Sequence, residues 1–129
     1  LGNGSTANGS WHDAEQLIRS GKIDAGLSAM TRLAASETTG RNRFQRKLLL
    51  AEVCLNSRRS DLARAILEEL AEQIEKFKLS EWESSDLVGG VWGRLYKIYK
   101  TDSGDKDRAK ELFEQLCRLD PWQALHCGD

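Results

Sequence analysis

Residues 112–125 read Leu112-Phe-Glu-Gln-Leu-Cys-Arg-Leu-Asp-Pro-Trp-Gln-Ala-Leu125. A helix that begins at about Lys106 runs through this stretch to Leu119. Asp120-Pro121 then opens a short further helix, with Asp as N-cap and Pro at the first helical position, where a missing N–H costs nothing. The stretch therefore contains a helix end, a tight connection and a helix start. It predicts packed helical hairpins.

The rest of the chain follows the same grammar. It has 129 residues, a single Pro, 40% hydrophobic and 30% charged residues, and it is rich in the straight-chain residues that favour helix. The fold class is all-α, with stacked antiparallel hairpins of about six to seven helices. Residues 1–10 read as a flexible linker or cloning remnant, and the absence of an initiator Met predicts a fragment of a longer protein. Residues 11–127 read as a single all-helical assembly domain.

Ser10 reads as the N-cap of a helix from about Trp11 to Arg19, stopped at Ser20-Gly21. A second helix, from Ile23 to about Ser36, places Leu27, Met30 and Leu33 on one stripe. A third, from about Asn42 to Ser57, is apolar on more than one side. The fourth begins at Ser60 or Asp61; Leu62, Ile66, Leu70, Ile74 and Phe77 recur at helical spacing, with Ala63 and Leu67 widening the stripe and Arg64, Glu68, Glu69, Glu72 and Glu75 turned to water. Ser80-Glu81-Trp82-Glu83 has the pattern of a capping box. The helix it opens, to about Lys100, carries Leu87, Val88, Val91, Trp92, Leu95, Tyr96, Ile98 and Tyr99. Gly89, Gly90 and Gly93 within it each cost about 1 kcal/mol in helix propensity, so close approach of another helix is expected there.

Trp92, Leu95 and Tyr99 fit the first helix of the tetratricopeptide pattern, and Ala109, Phe113 and Pro121 fit the second with a loop one residue longer. Earlier hairpins match less well and their spacings are unequal, so the repeats drift. Such stacks leave extended faces for partners.

Net charge is −1, too small for a whole-molecule pull on nucleic acid or membrane. It is unevenly spread: residues 1–59 are net +4 and residues 60–129 net −5, a polarity suited to contact between copies. No apolar run reaches the ~20 residues of a membrane span, and no secretory signal opens the chain. Three cysteines (Cys54, Cys117 and Cys127) form no disulfide framework and fit reducing conditions. Cys54 and Cys117 read as small hydrophobes on apolar helix faces.

No catalytic, cofactor or metal site is expected. Paired metal-ligand spacings are absent, as are a phosphate-binding glycine loop, a nucleophile elbow and a metal-binding helix motif. His12 and His126 lie near the chain ends. Arg41, Arg43, Arg46, Lys47, Arg58 and Arg59 form a basic cluster without interleaved aromatics, which suits a solvated edge or an acidic neighbouring subunit better than nucleic acid. The candidate self-assembly interface is Trp82, Gly89, Gly90, Trp92, Gly93, Tyr96 and Trp122, because aromatics dominate interface hot spots and their helix is apolar on more sides than one hairpin partner covers.

Three segments carry a more specific wording: Leu70-Ala-Glu-Gln-Ile-Glu-Lys-Phe-Lys-Leu-Ser-Glu-Trp-Glu83, Leu95-Tyr-Lys-Ile-Tyr99, and Ala109-Lys-Glu-Leu-Phe-Glu-Gln-Leu-Cys-Arg-Leu-Asp-Pro-Trp-Gln-Ala-Leu125. In this order they resemble the C-terminal region of the TssA proteins, the VasJ/ImpA-related group of the bacterial type VI secretion system. The resemblance covers roughly Gly21 to Leu125 and is most specific after Leu70. It implies a cytoplasmic, non-enzymatic structural component that self-assembles into a ring of dimers. Its implied partners are itself and the baseplate, contractile sheath and tail-tube proteins. The alternative from the hairpin pattern is a monomeric tetratricopeptide-like adaptor that binds a peptide or partner helix.

Overall fold

The computed structural model describes residues 3–101 and 103–127, with side chains for 10–101 and 104–127. Among these residues there are eight α-helices, one 3-10 turn and no strand. The chain divides into two compact units, the first ending at Arg59 and the second starting at Ser60.

The first unit contains α1 (Asn3–Arg19), α2 (Ile23–Ser36) and α3 (Gly40–Asn56). Ser10 lies inside α1, so it does not start that helix as its cap-type side chain predicts. The helix stops where expected: Gly21, at φ 94°, closes it with Lys22 N–H donating to the Leu17 carbonyl at 2.9 Å and Gly21 N–H to Ile18 at 3.1 Å. α2 then packs back on α1, and at Gly26 a Cβ would lie 2.8 Å from the Ala14 carbonyl oxygen. Thr39 caps α3 by accepting from Asn42 N–H at 3.1 Å. Trp11, Ala14, Leu27, Met30, Ala34, Phe44, Leu50, Ala51 and Cys54 are buried. α3 ends in the same backbone motif as α1, but the left-handed position is Arg58, at φ 60°.

The second unit contains α4 (Ser60–Phe77), α5 (Leu79–Trp82), α6 (Ser85–Thr101), α7 (Lys106–Leu119) and α8 (Pro121–Cys127), with the 3-10 turn at Ser103–Asp105. α6 is central: α4, α5, α7 and α8 all pack on it. Its burial explains its composition, since Leu87, Val88, Gly89, Gly90, Val91, Trp92, Gly93, Leu95 and Tyr99 are all buried. The buried line on α4 is Ala63, Leu67, Leu70 and Ile74, whereas Leu62 and Phe77 are exposed. All four buried residues lie within the stripe read from the sequence, and its Leu62 and Phe77 edge is left exposed.

The capping box at Ser80 does not form. Leu79 is buried and holds a single turn, α5, whose end at Glu83 is extended. The Trp82 indole donates to the Phe77 carbonyl at 3.0 Å and ties this turn to the end of α4. α6 is capped by Ser84, whose hydroxyl accepts from Leu87 N–H at 3.3 Å, while the Glu83 carboxylate accepts from Ser84 N–H at 2.8 Å. Both Ser80 and Ser84 have cap chemistry. Burial of Leu79 and the indole bond favour the later one.

Candidate functional site

The seven residues of the expected interface separate into two groups. Gly89, Gly90, Gly93 and Trp92 are buried inside the second unit. Tyr96 is half-buried, its ring 5.2 Å from that of Phe113 on α7. Trp82 and Trp122 are 67% and 68% exposed, joined by Phe77 at 55% and Leu125 at 65%.

Gly89 and Gly93 are smooth because α8 lies on them. A Cβ at Gly89 would fall on the side-chain amide of Gln123, and one at Gly93 would lie 2.8 Å from Cys127 Sγ. Gln123 and Cys127 are four residues apart, as are Gly89 and Gly93, so α8 runs parallel to α6 with one turn of each in register. The neighbouring helix expected from the glycines is the chain's own.

A polar knot locks that approach. Gln123 Nε2 donates to the Ser85 carbonyl at 2.8 Å and to Asp120 Oδ2 at 3.1 Å. Asp120 Oδ1 accepts from the N–H groups of Trp122 at 3.1 Å and Gln123 at 3.4 Å, the cap expected of Asp120-Pro121. Ser85 Oγ adds a long bond to Asp120 Oδ2 at 3.5 Å. The Gln123 amide, aided by the backbone N–H groups and Ser85, holds the Asp120 carboxyl below the usual range.

With Gln123, Ala124 and Cys127 turned to α6, the bulky side chains of α8 point outward. Trp122 and Leu125 are exposed, and the Trp122 ring packs against His126 at a tilt of 51° with centroids 4.2 Å apart. This reverses normal amphipathic order. Small and polar groups are inside and large apolar groups outside.

At the other end of α6 a second cluster joins α4, α6 and the 3-10 turn. Tyr99 Oη donates to Glu68 Oε1 at 2.8 Å, Arg64 Nε reaches the same oxygen at 2.9 Å, and an Arg64 amino group reaches Asp105 Oδ2 at 2.8 Å. The Arg64 and Arg108 guanidinium groups lie 5.1 and 5.5 Å from the Tyr99 ring centroid. Burial, then the Glu68 carboxylate, pushes the Tyr99 phenol up to about 12. Burial alone would raise Glu68, but the bonds from Tyr99 and Arg64 outweigh it and leave its carboxyl below the ordinary value. Arg64 and Glu68 therefore are not simply turned to water. They staple the hairpins together.

The basic cluster of the first unit is partly engaged within that unit. Arg43 donates to the Glu37 carbonyl at 2.9 Å, and Arg46 pairs with the Glu37 carboxylate at 3.2 Å while its guanidinium lies 5.2 Å from the Trp11 ring centroid. Arg59 and Asp24 are 3.5 Å apart. Cys54 is buried, but Cys117 is exposed on the outer side of α7, not on its apolar face. Among the described residues no group of three or more His, Cys, Asp or Glu side chains is placed to hold a metal. Nor is any described helix long and apolar enough to cross a membrane.

The fold and these clusters define a class: an all-α helical-hairpin protein whose polar groups serve packing and which leaves Phe77, Trp82, Trp122 and Leu125 exposed. The family model described as "Type VI secretion, EvfE, EvfF, ImpA, BimE, VC_A0119, VasJ" matches residues 2–95. The chain belongs to this VasJ/ImpA family of type VI secretion components. The matched region reaches nearer the N-terminus than the wording described above and stops within α6, so residues 109–125 lie beyond it. Comparison with curated proteins and with solved structures found no match.

Proposed function

We propose that this chain is a non-enzymatic structural component of the type VI secretion apparatus that acts by self-assembly. Residues 11–127 serve as the assembly module, and copies build a ring of dimers on the cytoplasmic side of the apparatus. There it engages baseplate, sheath and tail-tube proteins. The observation that carries this reading is the outward aromatic surface of the second unit, on a chain whose family is a secretion component. Large exposed apolar patches mark association surfaces. Of the seven interface residues, Trp82 and Trp122 would make the contact. Gly89, Gly90, Trp92, Gly93 and Tyr96 would support it from beneath by seating α8 and α7.

Negative-stain electron microscopy of the purified chain tests the proposal. Closed rings of uniform diameter are expected. Small single particles at every concentration would favour a monomeric groove-binding adaptor instead.

A further inference from the structure

The basic cluster read from the sequence is split by the fold of the first unit. Arg41, Arg43, Arg46 and Lys47 lie at the start of α3, whereas Arg58 and Arg59 follow its last residue, about 25 Å away along the helix. At the start, Arg43 and Arg46 are engaged with Glu37 and Trp11. At the far end, Arg58 and Arg59 gain two cations from elsewhere in the sequence. The 3.5 Å approach of Arg59 to Asp24 sets the end of α3 beside the α1–α2 turn, which carries Arg19 and Lys22. An open cavity of about 280 Å³, lined by Gly21, Lys22, Ile23, Asp24 and Ala25, lies at this turn.

This end of the unit holds four cations, Arg19, Lys22, Arg58 and Arg59, against one acid, Asp24. The nearest other acids on these helices, Glu15 and Glu52, lie one to two turns back; Asp61, next along the chain, belongs to the second unit. Arg19, Lys22 and Arg58 are exposed, and among the described residues none of the three is in an ion pair.

Two of these cations stand where local chemistry disfavours them. Lys22 is the N-cap of α2, makes no side-chain cap bond, and sets its charge at the positive end of that helix. Arg58 holds a left-handed position, φ 60°, that glycine or asparagine takes more readily. Local rules broken without a packing gain concentrate at functional sites. The chemistry also selects a ligand class. Among the described residues the first unit has one large hydrophobic side chain exposed, Leu49, and no exposed aromatic ring. Stacking on nucleobases and insertion into a bilayer draw on such groups. Guanidinium and ammonium groups without them suit carboxylates.

We propose that this end of the first unit docks an acidic segment of another protein. Arg19 and Arg58 supply planar forks for its carboxylates, Lys22 a point charge, and Arg59 shares its charge with Asp24. The inference stands apart from self-assembly through the second unit.

Fluorescence anisotropy with the whole chain and a dye-labelled peptide of Glu-Ala-Ala-Glu repeats tests it. The peptide should bind at low salt, release as salt is added, and lose binding when its Glu residues are replaced by Gln. Lys22→Ser/Arg58→Gly should weaken binding at least about tenfold while melting no lower than the wild type, so that the loss is not one of folding. Arg32→Gln, an exposed cation two turns or more along α2, should change it by less than about twofold. A wild-type chain that ignores the peptide, equal binding of the Gln peptide, or an Arg32→Gln loss as large as that of the double variant overturns the proposal. Tighter binding of oligothymidylate or of phosphatidylglycerol vesicles through Lys22 and Arg58 overturns it in favour of nucleic acid or a membrane. If the double variant lowers the sedimentation mass of the chain alone, the surface is a contact between copies, and the assignment to another protein is overturned.

Discussion

Gly89→Ala sets two effects of opposite sign against each other. In an isolated helix the change gains about 1 kcal/mol. Here the new methyl falls on the Gln123 amide, which donates to the Ser85 carbonyl at 2.8 Å and to Asp120 Oδ2 at 3.1 Å. Net contributions are about 0.5–1.5 kcal/mol for a neutral hydrogen bond and about 1.5–3 kcal/mol for one to a charged group. Displacing the amide therefore costs about 2–4 kcal/mol, and Gly89→Ala should destabilise the second unit by about 1–3 kcal/mol. In a Gln123→Ala background the obstacle is gone, so the same substitution should stabilise by about 1 kcal/mol. Urea denaturation followed by circular dichroism, run as a double-mutant cycle, measures both numbers. A stabilising Gly89→Ala in the wild-type background would refute the reasoning, because Gln123 would then swing aside without loss.

The phenol of Tyr99, pushed up to about 12, favours folding while protonated. Its contribution is fully present below the ordinary value near 10 and is lost as pH rises through 12, on the order of 2–3 kcal/mol in all. In Tyr96→Phe, which leaves Tyr99 as the sole tyrosine, absorbance at 295 nm should titrate near 12 in the folded chain; a midpoint at 10 would contradict the Glu68–Tyr99 bond. Tyr99→Phe should lower stability by about 1–2 kcal/mol by removing that charge-assisted bond, and an unchanged urea midpoint would show the bond idle. Arg58→Gly should raise stability by about 0.5–1 kcal/mol, because Arg58 sits at φ 60° where a side chain is strained. Thermal melts decide that case, and a lower Tm would refute it.

Helix boundaries were legible wherever local chemistry acts alone. Ser20-Gly21 ends α1 and Asp120-Pro121 starts α8 because a backbone motif and a cap need only adjacent residues. Gly89 and Gly93 of α6 announce a close neighbour for the same reason: no side chain fits beneath a tightly packed helix. Which neighbour it is depends on Gln123 and Cys127, more than thirty residues away, and a Gln in a short helix carries no sign that it faces inward. Arg64 and Glu68 read as a solvated i,i+4 pair until Tyr99 is brought against them by the α4–α6 hairpin. Ser80 and Ser84 carry equal capping chemistry, and burial of Leu79 together with the Trp82 indole bond separates them. That Trp122 is a large apolar side chain was legible from residue type. The inversion of α8 around it was not, because periodicity names an apolar face without saying which side the fold covers.

Sedimentation equilibrium of the wild-type chain across two decades of concentration tests the central claim most directly. Self-assembly through its exposed aromatic surface predicts a mass that rises from the 14.5 kDa of one copy toward twice that value and its multiples. A mass that stays at 14.5 kDa throughout would contradict it.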